Sequence, residues 1–148
     1  MTVTSHSQDE TADVGRQLAS TLAPGSVLLL IGDLGAGKTA LVRGLAEGLG
    51  VRPEEVSSPT FTLMQEYRGG RLPLIHVDLY RLNDAREIDE LGLEELGLNS
   101  VLAIEWAEKL PRPIGGAIEV RIDHGDADTR RLTISQSVDQ SRGHQIAE

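Results

Sequence analysis

The chain has 148 residues, 14 Lys plus Arg against 23 Asp plus Glu, a formal net charge of -9 and 3% aromatic residues. That length suits a single domain, 1–148, and an acidic, aromatic-poor chain lacks the basic track and stacking platforms of an autonomous nucleic-acid binder. The absence of cysteine excludes a disulfide scaffold, a thiolate zinc site and a Cys nucleophile.

Residues 1–8 are polar and read as a frayed terminus. Met1 to Glu10 shows neither a basic n-region nor an apolar core, and no stretch approaches the roughly 18 apolar residues of a membrane span. A soluble, cytoplasmic protein without a membrane role is expected. Ser7 and Glu10 have capping-box spacing, and Val14, Leu18 and Leu22 recur every four residues, which predicts a helix ended by Pro24-Gly25. Val27 to Ile31 is an unbroken apolar run, the signature of a strand covered on both faces in a parallel sheet. A glycine-rich turn, Gly32 to Gly37, leads to Leu41, Val42, Leu45 and Leu49 at helical spacing, and that helix stops at Gly48 or Gly50.

Phe61 to Tyr67 and Leu72 to Leu79 flank Gly69-Gly70 and predict a hairpin. Asp84 to Glu95 holds six acids and one Arg, a local net of -5. This stretch is either a solvated helix face or a surface complementary to a basic partner. Val101 to Ile104 is a second buried strand, and Ala117–Asp123 and Arg131–Ser135 alternate as half-buried strands do. An ordered core of 7–135 and a C-terminal tail of 136–148 follow. The fold class is α/β, with a mixed, mainly parallel sheet, flanking helices and an antiparallel hairpin, and the match of Gly32 to Thr39 to G-x-x-x-x-G-K-[ST] makes it a P-loop NTPase fold.

Gly32-Asp33-Leu34-Gly35-Ala36-Gly37-Lys38-Thr39 matches G-x-x-x-x-G-K-[ST] between a predicted strand and a predicted helix. Glycines let successive backbone N–H groups point at phosphate oxygens, and the following helix adds its positive end. Lys38 is placed to reach the β- and γ-phosphates and the Thr39 hydroxyl to ligate Mg²⁺. With twelve Arg but only two Lys, Lys38 and Lys109, a chance match is rare.

Two acids end apolar strands: Asp78 after Leu74 to Val77, and Glu105 after Val101 to Ile104. In an open α/β sheet such carboxylates emerge where ligands bind. One suits the metal and the other a water-orienting or basic role; spacing does not order them. In Ser57 to Thr62 a hydroxyl such as Thr60 can sense metal or γ-phosphate, or simply satisfy local backbone. His76 reads as a structural strand residue. Trp106 reads equally as a packed aromatic or a functional surface. Arg81, Arg130 and Arg131 read first as solvated arginines, with phosphate or base contact as the alternative.

Together, residues 32–39, Ser58-Pro59-Thr60-Phe61-Thr62, His76-Val77-Asp78-Leu79-Tyr80-Arg81-Leu82 and Glu105-Trp106 resemble, in order and spacing, the TsaE (YjeE) family over about residues 7 to 135. The resemblance implies a bacterial Mg²⁺-dependent ATPase needed for threonylcarbamoyl-adenosine formation in tRNA beside the anticodon. It implies docking on TsaB and TsaD, with tRNA met only through that complex and ATP hydrolysis supporting repeated turnover. Gly32, Asp33, Leu34, Gly35, Ala36, Gly37, Lys38 and Thr39 would hold the phosphates. Thr39 and Glu105 would be the Mg²⁺ ligands, and Lys38, Asp78 and Glu105 the catalytic set. Trp106 would form a functional pair with Glu105, with Ser58, Pro59 and Thr60 as a switch loop. Thr11 would approach adenine, and a C-terminal Arg would approach the nucleotide; the Arg130-Arg131 pair leaves its register open, with Arg130 taken for the nucleotide-binding set. Hydrolysis should be slow until partners dock, as in GTPases before an activator binds.

The main rival is a small P-loop metabolite kinase, against which no lid-sized insertion is evident. A GTPase lacks a lysine in a guanine-reading Asn-Lys-x-Asp, since Lys109 lies in Glu108-Lys109-Leu110. A non-hydrolysing nucleotide sensor would not need Asp78 and Glu105.

Overall fold

The computed structural model describes residues 1–32, 37–52 and 64–136. Seven strands form one sheet in the order β1-β7-β6-β2-β5-β4-β3. The central four, β6 (Ile118–His124), β2 (Val27–Ile31), β5 (Val101–Glu105) and β4 (Leu74–Asp78), run parallel. Antiparallel strands flank them: β3 (Met64–Tyr67) beside β4, and β7 (Arg130–Gln136) then β1 (Thr2–Ser5) beyond β6.

Alternation along the strands gives the sheet two apolar faces. Leu28, Leu30, Leu74, Val101, Ala103, Val120 and Ile122 join one cluster, which α1 (Gln8–Ala19) and α2 (Lys38–Gly48) cover. Ile75, Val77, Leu102 and Ile104 point the other way, toward Ile88 of α3 (Ala85–Glu90) and Leu93 of α4 (Leu93–Leu96). β4 and β5 are buried at every position, as expected of parallel strands covered on both faces.

The predicted N-terminal cap forms. Ser7 is extended, and its hydroxyl accepts the Glu10 N–H at 3.1 Å. The Glu10 carboxylate accepts the His6 N–H at 2.9 Å rather than closing the box on Ser7. That backbone donor holds the Glu10 carboxyl below its usual range. The helix ends at Ala19, five residues before Pro24, with looser turns carrying the chain on to Leu22.

Helices α1 and α2 pack almost backbone to backbone. A Cβ on Gly44 would lie 1.9 Å from the Ala12 carbonyl oxygen, and one on Gly15 would lie 2.3 Å from that of Leu41. Only glycine permits this approach. It places Thr11 over Gly37, where a Cβ would sit 3.7 Å from the Thr11 methyl.

Four expectations change. Residues 1–8 are not frayed: Thr2 to Ser5 pair with Thr133 to Arg130, a contact to the far end of the chain that local polarity cannot show. The turn between β3 and β4 spans Arg68 to Pro73; Gly69 takes the positive φ (112°), while a Cβ on Gly70 would lie 2.1 Å from the Leu49 carbonyl oxygen. The acidic segment breaks into α3 and α4 at Gly92 (φ 63°). Gln136, assigned to the tail, belongs to β7; residues 137–148 and Phe61 of the hairpin lie outside the described residues. No helix among the described residues is long and apolar enough to cross a membrane.

Candidate active site

The site lies at the C-terminal ends of β2, β5 and β4, the ligand-binding edge of an open parallel sheet. Leu30 pairs with Glu105, so β2 and β5 end side by side, with Gly32 just beyond β2. Gly37 caps α2 with φ 109°, a left-handed conformation that glycine adopts without strain. Lys38 opens the helix at 4% exposure, and its Nζ donates to the Gly32 carbonyl oxygen at 2.7 Å. The same ammonium sits 4.7 Å from the centroid of the Trp106 ring, within cation–π range.

Trp106 follows Glu105 directly and has φ 60° and ψ 40°. A non-glycine residue in this region costs roughly 1–2 kcal/mol. The turn carries the indole over Lys38, so the strained backbone coincides with that contact. Tyr80 packs against the same indole at a tilt, ring centroids 5.1 Å apart. The Lys109 Nζ lies 5.7 Å from the Tyr80 ring and donates to the carbonyl oxygens of Tyr80 (2.6 Å) and Leu82 (3.1 Å). Both lysines of the chain therefore flank one aromatic pair.

Asp78 and Glu105 are in-register partners on adjacent parallel strands, buried to 5% and 4% exposure. Backbones so paired lie about 4.8 Å apart. Asp78 Oδ1 accepts the Tyr80 N–H at 2.8 Å, closing the turn that leaves β4. Glu105 Oε2 lies 2.6 Å from His76 Nε2, and both side chains are buried. His76 is two residues before Asp78, on the same face of β4. Sequence reasoning set His76 aside as structural. The usable signal was its period-two spacing from Asp78 within an apolar strand.

A cleft of about 270 Å³ adjoins the start of α2, lined by His6, Ser7, Thr11, Gly37, Ala40 and Arg130, with Gln8 and Asp128. Thr11 is 2% exposed; its hydroxyl meets Ser5 Oγ at 2.7 Å and donates to the Ser7 carbonyl oxygen at 3.2 Å. Its methyl, not its hydroxyl, faces Gly37. Arg130 lines this cleft, whereas Arg131 lines a different one with Thr4, Asp123 and His124. Neighbouring strand residues face opposite ways, which separates the two arginines.

The described structure thus gathers Lys38, Asp78, Glu105 and Trp106 at one edge, with Thr39 in the first turn of α2 and Thr11, Gly37 and Arg130 at the adjoining cleft. Asp33, Leu34, Gly35 and Ala36 of the loop, and Ser58, Pro59 and Thr60 of the second segment, lie outside the described residues.

Comparison with known proteins agrees with this arrangement. The family profile described as threonylcarbamoyl adenosine biosynthesis protein TsaE matches residues 5–132. A protein of a Nostoc species, named tRNA threonylcarbamoyladenosine biosynthesis protein TsaE, is 45% identical over 134 residues, covering 86% of this chain and 81% of the relative. One of the same name from Bacillus subtilis is 42% identical over 132 residues, covering 86% and 80%. The crystal structure of Bacillus subtilis YdiB superposes with a TM-score of 0.71 at 32% identity, covering 99% of this chain and 90% of that one. The sheet order, the phosphate-loop helix, the paired strand-end acids and these similarities together establish that the chain belongs to the TsaE family.

Proposed function

We propose that this chain binds Mg²⁺-ATP at the edge formed by β2, α2, β5 and β4, and hydrolyses it in support of tRNA threonylcarbamoyladenosine biosynthesis. The observation that carries the proposal is the in-register pair Asp78 and Glu105 beside the helix opened by Lys38. A phosphate cradle alone only binds; two carboxylates at its rim supply the groups that hydrolysis needs.

Lys38 is preset for phosphate. Its ammonium rests on a carbonyl oxygen and an indole face, weak partners that a β- or γ-phosphate oxygen outcompetes. The helix N-terminus adds backbone N–H donors. Thr39 and Glu105 are the residues to hold magnesium: a hydroxyl and a carboxylate are the hard oxygen donors this ion takes. When bound, the ion supplies charge neutralisation at the phosphates. Asp78, anchored through Oδ1 by the Tyr80 N–H, keeps Oδ2 to orient or accept a proton from the attacking water. Thr11, Ala40 and Arg130 line a cleft of suitable size for the base.

The relatives' names place them in tRNA modification. A net charge of -9 suits a protein that meets tRNA through partners, TsaB and TsaD, and works in the cytoplasm. Hydrolysis is slow alone and faster when those partners dock, because Lys38 is the cation set against the phosphates while Arg130 lies at the neighbouring base cleft. The test follows ADP and free phosphate with Mg²⁺-ATP, with and without TsaB–TsaD. Partner-stimulated release of free phosphate supports the reading. Phosphate transferred to a small acceptor would instead identify a metabolite kinase.

A further inference from the structure

His76 is wholly buried, and among the described residues its Nδ1 has no hydrogen-bond partner. Its Nε2 is 2.6 Å from Glu105 Oε2, across 29 residues of sequence. A buried imidazole that satisfies only one nitrogen is costly, and an apolar residue in its place would pack β4 at least as well. The bond it keeps is directed at one acid of the proposed catalytic pair. A carboxylate accepts, so Nε2 carries the hydrogen. Of the Glu105 side-chain oxygens, Oε2 is fixed by this bond and Oε1 has no hydrogen bond among the described residues. Asp78 is held in the same one-sided way, through Oδ1.

We propose that His76 is a positioning residue. Its Nε2–H fixes the rotamer of Glu105 and leaves Oε1 as the oxygen offered to the nucleotide-bound cation. This rests on the ATPase reading given above. Residues that hold a metal ligand's second oxygen act through orientation, and losing them typically costs about 10- to 100-fold in metal affinity or activity. Register sets the geometry: His76 pairs with Ala103, and the small Ala103 side chain leaves room for the ring to reach Glu105 two residues on.

His76→Gln and His76→Asn test the assignment, because both are polar and similar in bulk. A glutamine amide reaches the position of Nε2, whereas an asparagine amide stops short of it. With the partners present, His76→Asn should lower kcat for Mg²⁺-ATP about 10- to 100-fold, with KM for ATP changed less than about threefold. It should also raise, by about tenfold or more, the Mg²⁺ concentration that half-saturates binding of a non-hydrolysable ATP analogue. His76→Gln should restore both values to within about threefold of the unsubstituted chain. Proton–nitrogen NMR of the ligand-free imidazole should find the hydrogen on Nε2. Wild-type behaviour in His76→Asn, equal losses in both variants, or an Nε2 without hydrogen each overturns the proposal. Should the unsubstituted chain release no phosphate even with partners, the ATPase reading fails, while the Mg²⁺ titration and the NMR signal still decide the role of His76.

Discussion

Gly44→Ala tests how helix packing sets the site. The new Cβ would lie 1.9 Å from the Ala12 carbonyl oxygen and 2.6 Å from its carbon. Ordinary contact starts near 3.4 Å, so α1 must retreat by about 1.5 Å (3.4 less 1.9), and backbone in a close-packed interior gives little. Overpacking of this kind costs about 1–3 kcal/mol, and a direct backbone clash belongs at the top of that range. Alanine's better helix propensity returns about 1 kcal/mol. The net is a destabilisation of about 2 kcal/mol, or a Tm lower by roughly 4–8 °C for a chain of this size. Thermal unfolding followed by circular dichroism measures it. Because Ala12 adjoins Thr11, nucleotide affinity should fall as well. Gly48→Ala, whose Cβ meets the Ala19 Cβ at 2.6 Å and the Arg16 oxygen at 2.9 Å, should cost less. An unchanged or higher Tm in Gly44→Ala would refute the packing argument.

Three further outcomes are expected. Lys38→Ala removes a charge-assisted bond and should weaken ATP binding about 10- to 100-fold by calorimetry; since Trp106 is the one tryptophan, its fluorescence should change when nucleotide draws the ammonium off the ring. Trp106→Gly should be more stable than Trp106→Ala by about 1 kcal/mol in denaturant titration, because only glycine adopts φ 60° without strain. Arg130→Ala should weaken nucleotide binding severalfold while Arg131→Ala leaves it unchanged, as only Arg130 lines the cleft beside Gly37.

Much of this was legible because local pattern and tertiary role coincide. Val101–Ile104 is an apolar run because β5 is buried on both faces, whereas Val27–Ile31 buries Leu28 and Leu30 fully and leaves Val27, Leu29 and Ile31 half-buried, short of the two-faced burial its run predicts. Ser7 announces α1 through its own hydroxyl. Asp78 and Glu105 stand out in the sequence because each follows an apolar run, and the structure sets them in register at one sheet edge. Four features left no local mark. Thr2–Ser5 is a strand only by virtue of β7, some 125 residues away. Trp106 enters a left-handed turn that a tryptophan does not advertise, since glycine and asparagine are its usual signals. The His76–Glu105 bond exists only once β4 and β5 are in register, and period-two spacing alone cannot say which neighbour a side chain meets. Gly15 and Gly44 likewise read as weak points in helices; their use as spacers appears only when α1 meets α2.

If ATP turnover by this chain sustains tRNA modification, as proposed, multiple-turnover reconstitution will show it. Threonylcarbamoyladenosine formation would be followed with TsaB–TsaD, tRNA and this chain, using ATP or a non-hydrolysable analogue, alongside the Glu105→Ala variant. Many rounds of modification are expected with ATP and no more than about one per complex with the analogue or the variant. Equal turnover with the analogue, or with Glu105→Ala, would contradict the proposal.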